Sequence, residues 1–486
     1  MVSLLYPNSF EHKSNARSIC VPLYRFAELT IADASLRSTF CSVASIPLTN
    51  SDLIKYRQHI LNDLYGHLDV YNLLYNRVSN IICLKSDYDE AKKKFFGIAT
   101  QTNDDNDINR LVHILQTNAL FLKQLLATVK DLDSILGEKK FYSTGLNAFA
   151  AYMNRFVNNE SFSILFDYCK TFEHYYPSES TTDFLIKLDG FGKISSVNMI
   201  VHKKARIEGR HKKTGLFSYI KKVEQKSINN KLSIYCHNSF ENNTIRYTAL
   251  NKVTYALEVM IKRLLDDFSI IKKELDFYEA SVRILDVLRK AGLRLTYPII
   301  GTSTTISGLI DPVLWLEKLG STCIISNDFD FSNQQKGLII IGDNGVGKTV
   351  YLRAVLLAHI LAQTGLPIPA ESAVINPKNA FLYFEAGSED KNDTNKGRFE
   401  EEIERLSNII DLVSDNDVVF LNEPLQSTSD DAASKILLDI FDYLAKKGCV
   451  WMLVTHLTSI KSAVPNDFIK IVEFNPDHKL KLKLVV

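Results

Sequence analysis

Long apolar runs are missing from this chain of 486 residues. No stretch of 18 apolar residues occurs, so no segment is expected to cross a membrane as a helix. The segment Met1–Arg17 has no basic flank leading into a long apolar core, so no secretory signal is expected there. Cysteine is sparse and odd in number, at seven, and no CxxC pair occurs. That argues against a zinc or dithiol site and against a disulfide framework, and it fits a reducing cytoplasm. Glycine (20) and proline (12) are too few for collagen-like or low-complexity architectures. A dominant charge is also absent, since 57 basic side chains face 56 acidic ones.

What is present is an ordinary globular composition, with 46% hydrophobic and 23% charged residues. At about 150 residues per domain the length suggests two to four domains. The near-neutral average hides a polarity. Residues 301–486 carry 17 basic and 25 acidic side chains, and residues 1–300 carry 40 and 31. A binding half and a separate working half are therefore expected.

Helical periodicity dominates residues 51–182, with Ser51 expected as a cap and Leu53, Ile54, Tyr56, Ile60, Leu61 and Leu64 on one face. Residues 1–50 form an N-terminal segment in which Pro47 ends a helical pattern. Residues 183–244 read as a small β-region with a turn at Asp189-Gly190. Within it, residues 202–231 hold ten Lys or Arg against Glu208 and Glu224. From 245 to 298 a helical pattern returns and runs without Gly or Pro to about residue 291. A helix of some 45 residues spans roughly 65–70 Å, which suits an arm better than a compact core. Two helical blocks flanking a basic β-tip describe an arm that goes out and returns.

Residues 299–486 read as β-α-β. The short apolar runs Leu338–Ile341, Val418–Leu421 and Val450–Val454 suit buried parallel strands. The first leads into Gly342-Asp343-Asn344-Gly345-Val346-Gly347-Lys348-Thr349, a complete G-x-x-x-x-G-K-[ST] pattern between a strand and a helix. Gly342, Asn344, Gly345 and Gly347 let backbone N–H groups converge on phosphate oxygens at the positive end of the helix. Lys348 is placed for the β- and γ-phosphates of ATP, and the Thr349 hydroxyl for Mg²⁺. Asn422-Glu423 ends the second run. Glu423 suits a catalytic base, and the neutral Asn422 suits a metal-bound water. Thr455-His456 ends the third run, where His456 can sense a γ-phosphate.

Together these residues resemble the MutS family of DNA mismatch-repair ATPases. The likeness extends through Leu361–Gly365, Pro369-Ala370, Glu423–Ser429 and Thr455-His456. It continues upstream in Asp311-Pro312, Asn327-Asp328, Leu275–Pro298 and Pro47–Thr49. The resemblance implies an α/β P-loop ATPase domain of the ABC class, behind a mostly α-helical core and lever domain with a small β-containing, clamp-like tip. It implies ATP and Mg²⁺ at a homodimer interface and a clamp on DNA, double-stranded or branched, in repair or recombination. Catalytic roles fall on Glu423, His456 and Lys348, and the trans signature segment on Gly397 and Arg398. The basic tip supplies DNA-binding candidates in Lys203, Lys204, Arg206, Arg210, Lys212 and Lys213. A cytoplasmic, nucleoid-associated location would follow in a bacterium.

The departures from the family pattern are specific. Asn422 stands where the family has Asp, the signature serine is missing, and Ile324 falls where an aromatic often stacks on adenine. No N-terminal mismatch-reading domain and no appended dimerisation or nuclease module is expected. Phe277-Tyr278-Glu279 matches the mismatch-reading letters but lies in the long helix, where Phe277 is expected to pack. A nucleotide-binding scaffold with little turnover and another ABC-class chromosome-maintenance ATPase remain as alternatives.

Overall fold

The computed structural model describes residues 3–5, most of 37–43, 47–96, 105–173, 180–188, 194–203, 233–236, 243–318, 324–331, 335–384, 397–462, 469–473 and 483–484. These divide into two compact units, one formed by residues 72–140 and 150–272 and the other by 2–71, 141–149 and 273–486.

The first unit is built on long helices: α2 (Leu68–Phe96), α3 (Asp105–Gly137), α4 (Thr144–Val157), α5 (Glu160–Glu173) and α6 (Asn243–Lys290). α2, α4 and α6 each also extend into the second unit. Burial in the 48-residue α6 recurs at Leu250, Leu257, Ile261, Leu265, Phe268, Ile271 and Leu275, a helical stripe that runs from 250 to 275. At 1.5 Å per residue that helix is roughly 70 Å long. Within the unit, Tyr88 donates to Asn118 Oδ1 at 3.1 Å, and Asn118 Nδ2 donates to the Thr254 carbonyl at 3.3 Å. Strands β1 (Ser180–Leu188), β2 (Ile194–Lys203) and β3 (Ser233–Cys236) make an antiparallel sheet in the order β2-β1-β3. The turn expected at Asp189-Gly190 lies outside the described residues. Lys203 closes β2, while Lys204, Arg206, Arg210, Lys212 and Lys213 lie outside the described residues.

The second unit holds α1 (Ser51–Gly66) and everything after α6. The cap of α1 is Asn50, not the expected Ser51. Asn50 Oδ1 accepts from Asp52 N at 2.9 Å and Leu53 N at 3.1 Å, so the helix starts one residue earlier than a Ser51 cap requires. The buried carboxylate of Asp63 accepts from the N–H groups of Tyr142 (3.2 Å) and Ser143 (2.6 Å), just ahead of α4. A short N-terminal piece is also tied in. Glu274 accepts from Ser3 Oγ (2.5 Å) and Leu4 N (2.7 Å), and Tyr278 donates to the Leu4 carbonyl at 2.7 Å. Phe277 is buried beneath the Arg57 guanidinium, 5.3 Å from ring centroid to cation, which is the packing role expected of it.

Two sheets complete the unit. Strands β4 (Ile299–Ile300), β5 (Thr304–Leu309), β6 (Asn327–Phe331) and β8 (Ser372–Ile375) form a mixed sheet in the order β4-β8-β5-β6. The short helix α7 (Pro312–Glu317) follows β5. The larger sheet takes β7 (Gly337–Ile341), β9 (Ala380–Tyr383), β10 (Val418–Asn422), β11 (Val450–Thr455), β12 (Ile469–Glu473) and β13 (Lys483–Leu484) in the order β13-β12-β7-β11-β10-β9. Its pairs are parallel except β12 with β13. Every residue of β7 and β10 is buried, as expected where helices cover both faces. Helix α8 (Lys348–Thr364) follows β7, α9 (Arg398–Leu412) follows β9 and α10 (Asp430–Lys446) follows β10. α10 packs its Leu437, Phe441 and Leu444 face on the sheet, where Phe441 and Trp451 stack 3.8 Å apart.

Candidate functional site

The site forms where the three central strands end. After Ile341 the chain turns through Gly345 and Gly347, whose φ values of 83° and 106° lie in the left-handed region that glycine alone enters without strain. Helix α8 then begins at Lys348, so the sequence pattern occupies the strand-to-helix turn it requires.

Lys348 is drawn inward. Its ammonium donates to the carbonyls of Gly342 (2.6 Å) and Asp343 (2.9 Å) and pairs with Glu423 Oε1 at 3.1 Å. Glu423 follows β10 with φ 47°, and Leu425 two residues later has φ 62°. Such values are costly for residues with side chains and mark a backbone held by its surroundings. Here Glu423 N donates to the Val454 carbonyl at 2.9 Å, and Leu425 is buried. The other oxygen of Glu423 lies 2.7 Å from His456 Nδ1 and accepts from Gln426 Nε2 at 3.2 Å. With its proton on Nδ1, His456 donates to that oxygen. Thr349 Oγ1 donates to Asn422 Oδ1 at 3.1 Å. Thus Lys348, Thr349, Asn422, Glu423 and His456 lie together, although they come from three separate strand ends.

Two upstream pairs brace this assembly. Asp311 caps α7 through Val313 N at 3.0 Å, and its Oδ2 accepts from Arg353 Nε at 2.7 Å, with both side chains buried. Burial raises the Asp311 carboxyl, and the Arg353 guanidinium opposes that rise. Asp328 accepts from Gly308 N through its side chain (2.8 Å) and from the Tyr351 hydroxyl through its carbonyl (2.6 Å). The motifs Asp311-Pro312 and Asn327-Asp328 thus hold the helix that carries Lys348.

Gly397 and Arg398 sit exposed at the start of α9, and Ile324 lies just before β6. One contact was missed from sequence. Glu402, buried in α9, accepts from the Ser427 hydroxyl at 2.8 Å and so ties that helix to the loop after Glu423. Its only sequence signal was an acidic residue on the apolar side of an amphipathic helix. Among the described residues no cluster of three metal-ligating side chains occurs. The donors near the turn are a hydroxyl and an amide oxygen. They fit Mg²⁺, which takes hard oxygen ligands and draws most of them from phosphate and water.

A buried parallel sheet with a glycine-rich turn, a lysine and a following acidic strand end defines a P-loop ATPase-type domain. Residues 338–479 match the MutS domain V family, and residues 49–291, half of the chain, match the MutS2 N-terminal domain family. The chain belongs to the MutS family. It is 31% identical over 159 residues to "DNA mismatch repair protein MutS" of Prochlorococcus marinus strain MIT 9301, a match covering 32% of this chain and 17% of that protein. It is 25% identical over 285 residues to "Endonuclease MutS2" of Fusobacterium nucleatum, covering 56% and 34%. It is 22% identical over 365 residues to "Mitochondrial DNA mismatch repair protein mutS homolog" of Sarcophyton glaucum, covering 74% and 35%. The matches thus span about a third or less of each relative's length. No described helix is long and apolar enough to cross a membrane.

Proposed function

We propose that this protein is a MutS-like ATPase that binds DNA under the control of ATP, in repair or recombination. The observation that carries the reading is the meeting of Lys348, Thr349, Asn422, Glu423 and His456 at the glycine-rich turn. Bound there, ATP would set its phosphates against the turn's N–H groups and the N-terminus of α8. Lys348 would exchange the Gly342 and Asp343 carbonyls for phosphate oxygens, and the same move would release Glu423 Oε1. Glu423, steadied by His456 and Gln426, is then the group that orients and deprotonates a water. Thr349 and Asn422 would hold Mg²⁺, which supplies electrostatic stabilisation of charge on the phosphates. Gly397 and Arg398 are exposed at the start of α9, and this exposure supports a dimer in which they face a partner's nucleotide. The basic residues from Lys203 to Lys213 would meet DNA phosphates with little regard to sequence.

Replacing Glu423 with Ala tests the central claim. ATP binding should persist while kcat falls about 100-fold or more, the scale of a lost general base. Unchanged turnover would remove Glu423 from the role. A second reading is favoured by Asn422, whose neutral amide faces Thr349 where a carboxylate would add charge beside the metal. In that reading ATP sets a dimer state and turnover is slight. A steady-state rate in wild type no higher than in Glu423→Ala, with and without DNA, would select it.

A further inference from the structure

The buried positions of α9 are Glu402 and Leu406, four residues apart on one face. Leu406 joins the apolar core with Tyr383 and Leu437. An apolar residue would fill position 402 as well, and a carboxylate there is costly. Glu402 is only 2% exposed, and only one of its oxygens is served. Its Oε2 accepts from Ser427 Oγ at 2.8 Å and, more weakly, from Ser427 N at 3.4 Å. Its Oε1 is buried and has no hydrogen-bond partner among the described residues. A half-served buried carboxylate costs a fold more stability than it supplies. The use of Glu402 therefore lies in its contact with Ser427 rather than in stability.

That contact falls in the loop between β10 and α10, which begins with Glu423. The loop's backbone is unfavourable twice, at Glu423 and at Leu425, with φ values of 47° and 62°. Leu425 is buried, but Gln426 and Ser427 after it are exposed, so packing does little to hold them. Gln426 Nε2 donates to Glu423 Oε2 at 3.2 Å. Ser427, the next residue, is fastened to Glu402. Short links thus run from α9 through Glu402, Ser427 and Gln426 to the carboxylate of Glu423. At the other end, Arg398 stands exposed one turn before Glu402, at the start of α9.

We infer that Glu402 and Ser427 are positioning residues for Glu423. They fix the loop so that Gln426 holds the carboxylate in place, and they tie its orientation to the start of α9. The inference rests on the proposed role of Glu423 as the base. The experiment is steady-state ATPase of the full chain, with ATP affinity measured by calorimetry. Ser427→Ala and Glu402→Leu should each lower kcat about tenfold, the scale of one lost hydrogen bond, with ATP affinity unchanged. Unchanged affinity also shows that each variant folds. Because both changes break the same link, the double variant should be no slower than either single one. Ser427→Thr keeps the hydroxyl and should turn over at the wild-type rate. Glu423→Ala, measured alongside, separates the two claims. Wild-type turnover no faster than Glu423→Ala would remove the base, and this inference with it. A slow Glu423→Ala beside a Ser427→Ala with wild-type kcat would overturn the inference alone. So would additive losses in the double variant, or a Ser427→Thr as slow as Ser427→Ala.

Discussion

Acid should weaken the ATPase-type unit through His359. This histidine is buried in α8, and burial lowers its pKa from 6.5 to about 4; the Lys378 carbonyl opposes the shift and the Lys378 ammonium adds to it. In the unfolded chain the ring takes a proton near 6.5. The contribution to stability is therefore complete above that value and is lost as pH falls through the window from 6.5 to about 4. Over the whole window the loss is roughly 3 kcal/mol, and about 2 kcal/mol of it is gone by pH 5, at about 1.4 kcal/mol per pH unit. The assay is urea unfolding followed by tryptophan fluorescence at pH 7 and pH 5. The chain has two tryptophans, Trp315 and Trp451, and both lie in the unit formed by residues 2–71, 141–149 and 273–486. Fluorescence thus reports on the unit that contains His359. Wild type should lose about 2 kcal/mol more than His359→Gln between the two pH values, because Gln removes the titration. The same pH dependence in both proteins would refute the reasoning.

Other outcomes follow from the same geometry. Asp311→Ala removes the carboxylate that pairs with buried Arg353 and uncaps α7, so the unit should lose about 3–5 kcal/mol in the same unfolding assay. Gly337→Ala would place a Cβ 2.1 Å from the Trp451 ring, where neither the strand nor the stacked indole has room. It should cost about 1–3 kcal/mol and disturb tryptophan emission in the folded state. Asn422→Asp restores a charge beside Thr349 and should raise kcat about tenfold in a steady-state ATPase assay, the scale of a charge-assisted contact replacing a neutral one. Reversing charge at Lys203, Lys204, Lys212 and Lys213 should weaken DNA binding equally across sequences and flatten its salt dependence, measured by fluorescence anisotropy over a salt series.

The P-loop was legible because its information is local. Strand, glycines, lysine and helix are contiguous, and each glycine answers a backbone demand at its own position. The 48-residue α6 was legible for a related reason, since a long unbroken period has few competing readings. The cap of α1 was misplaced by one residue because Asn50 and Ser51 are both good caps, and only backbone geometry separates them. The bracing by Asp311 and Arg353 spans 42 positions, and the Glu402–Ser427 contact spans 25. No period or spacing announces such pairs.

Helix α8 is buried on every side from Tyr351 to Thr364. Its far end is packed as tightly as its head. Leu48 N donates to the Gln363 carbonyl at 3.0 Å, and a Cβ on Gly365 would meet Arg57 at 2.8 Å. A rod without an exposed stripe cannot roll or slide without opening gaps on all sides. The glycine-rich turn at its head is therefore an anvil rather than a spring. On the proposed function, a shape change brought by nucleotide would have to be expressed by parts around that turn, such as the exposed start of α9, and not by recoil of the turn itself.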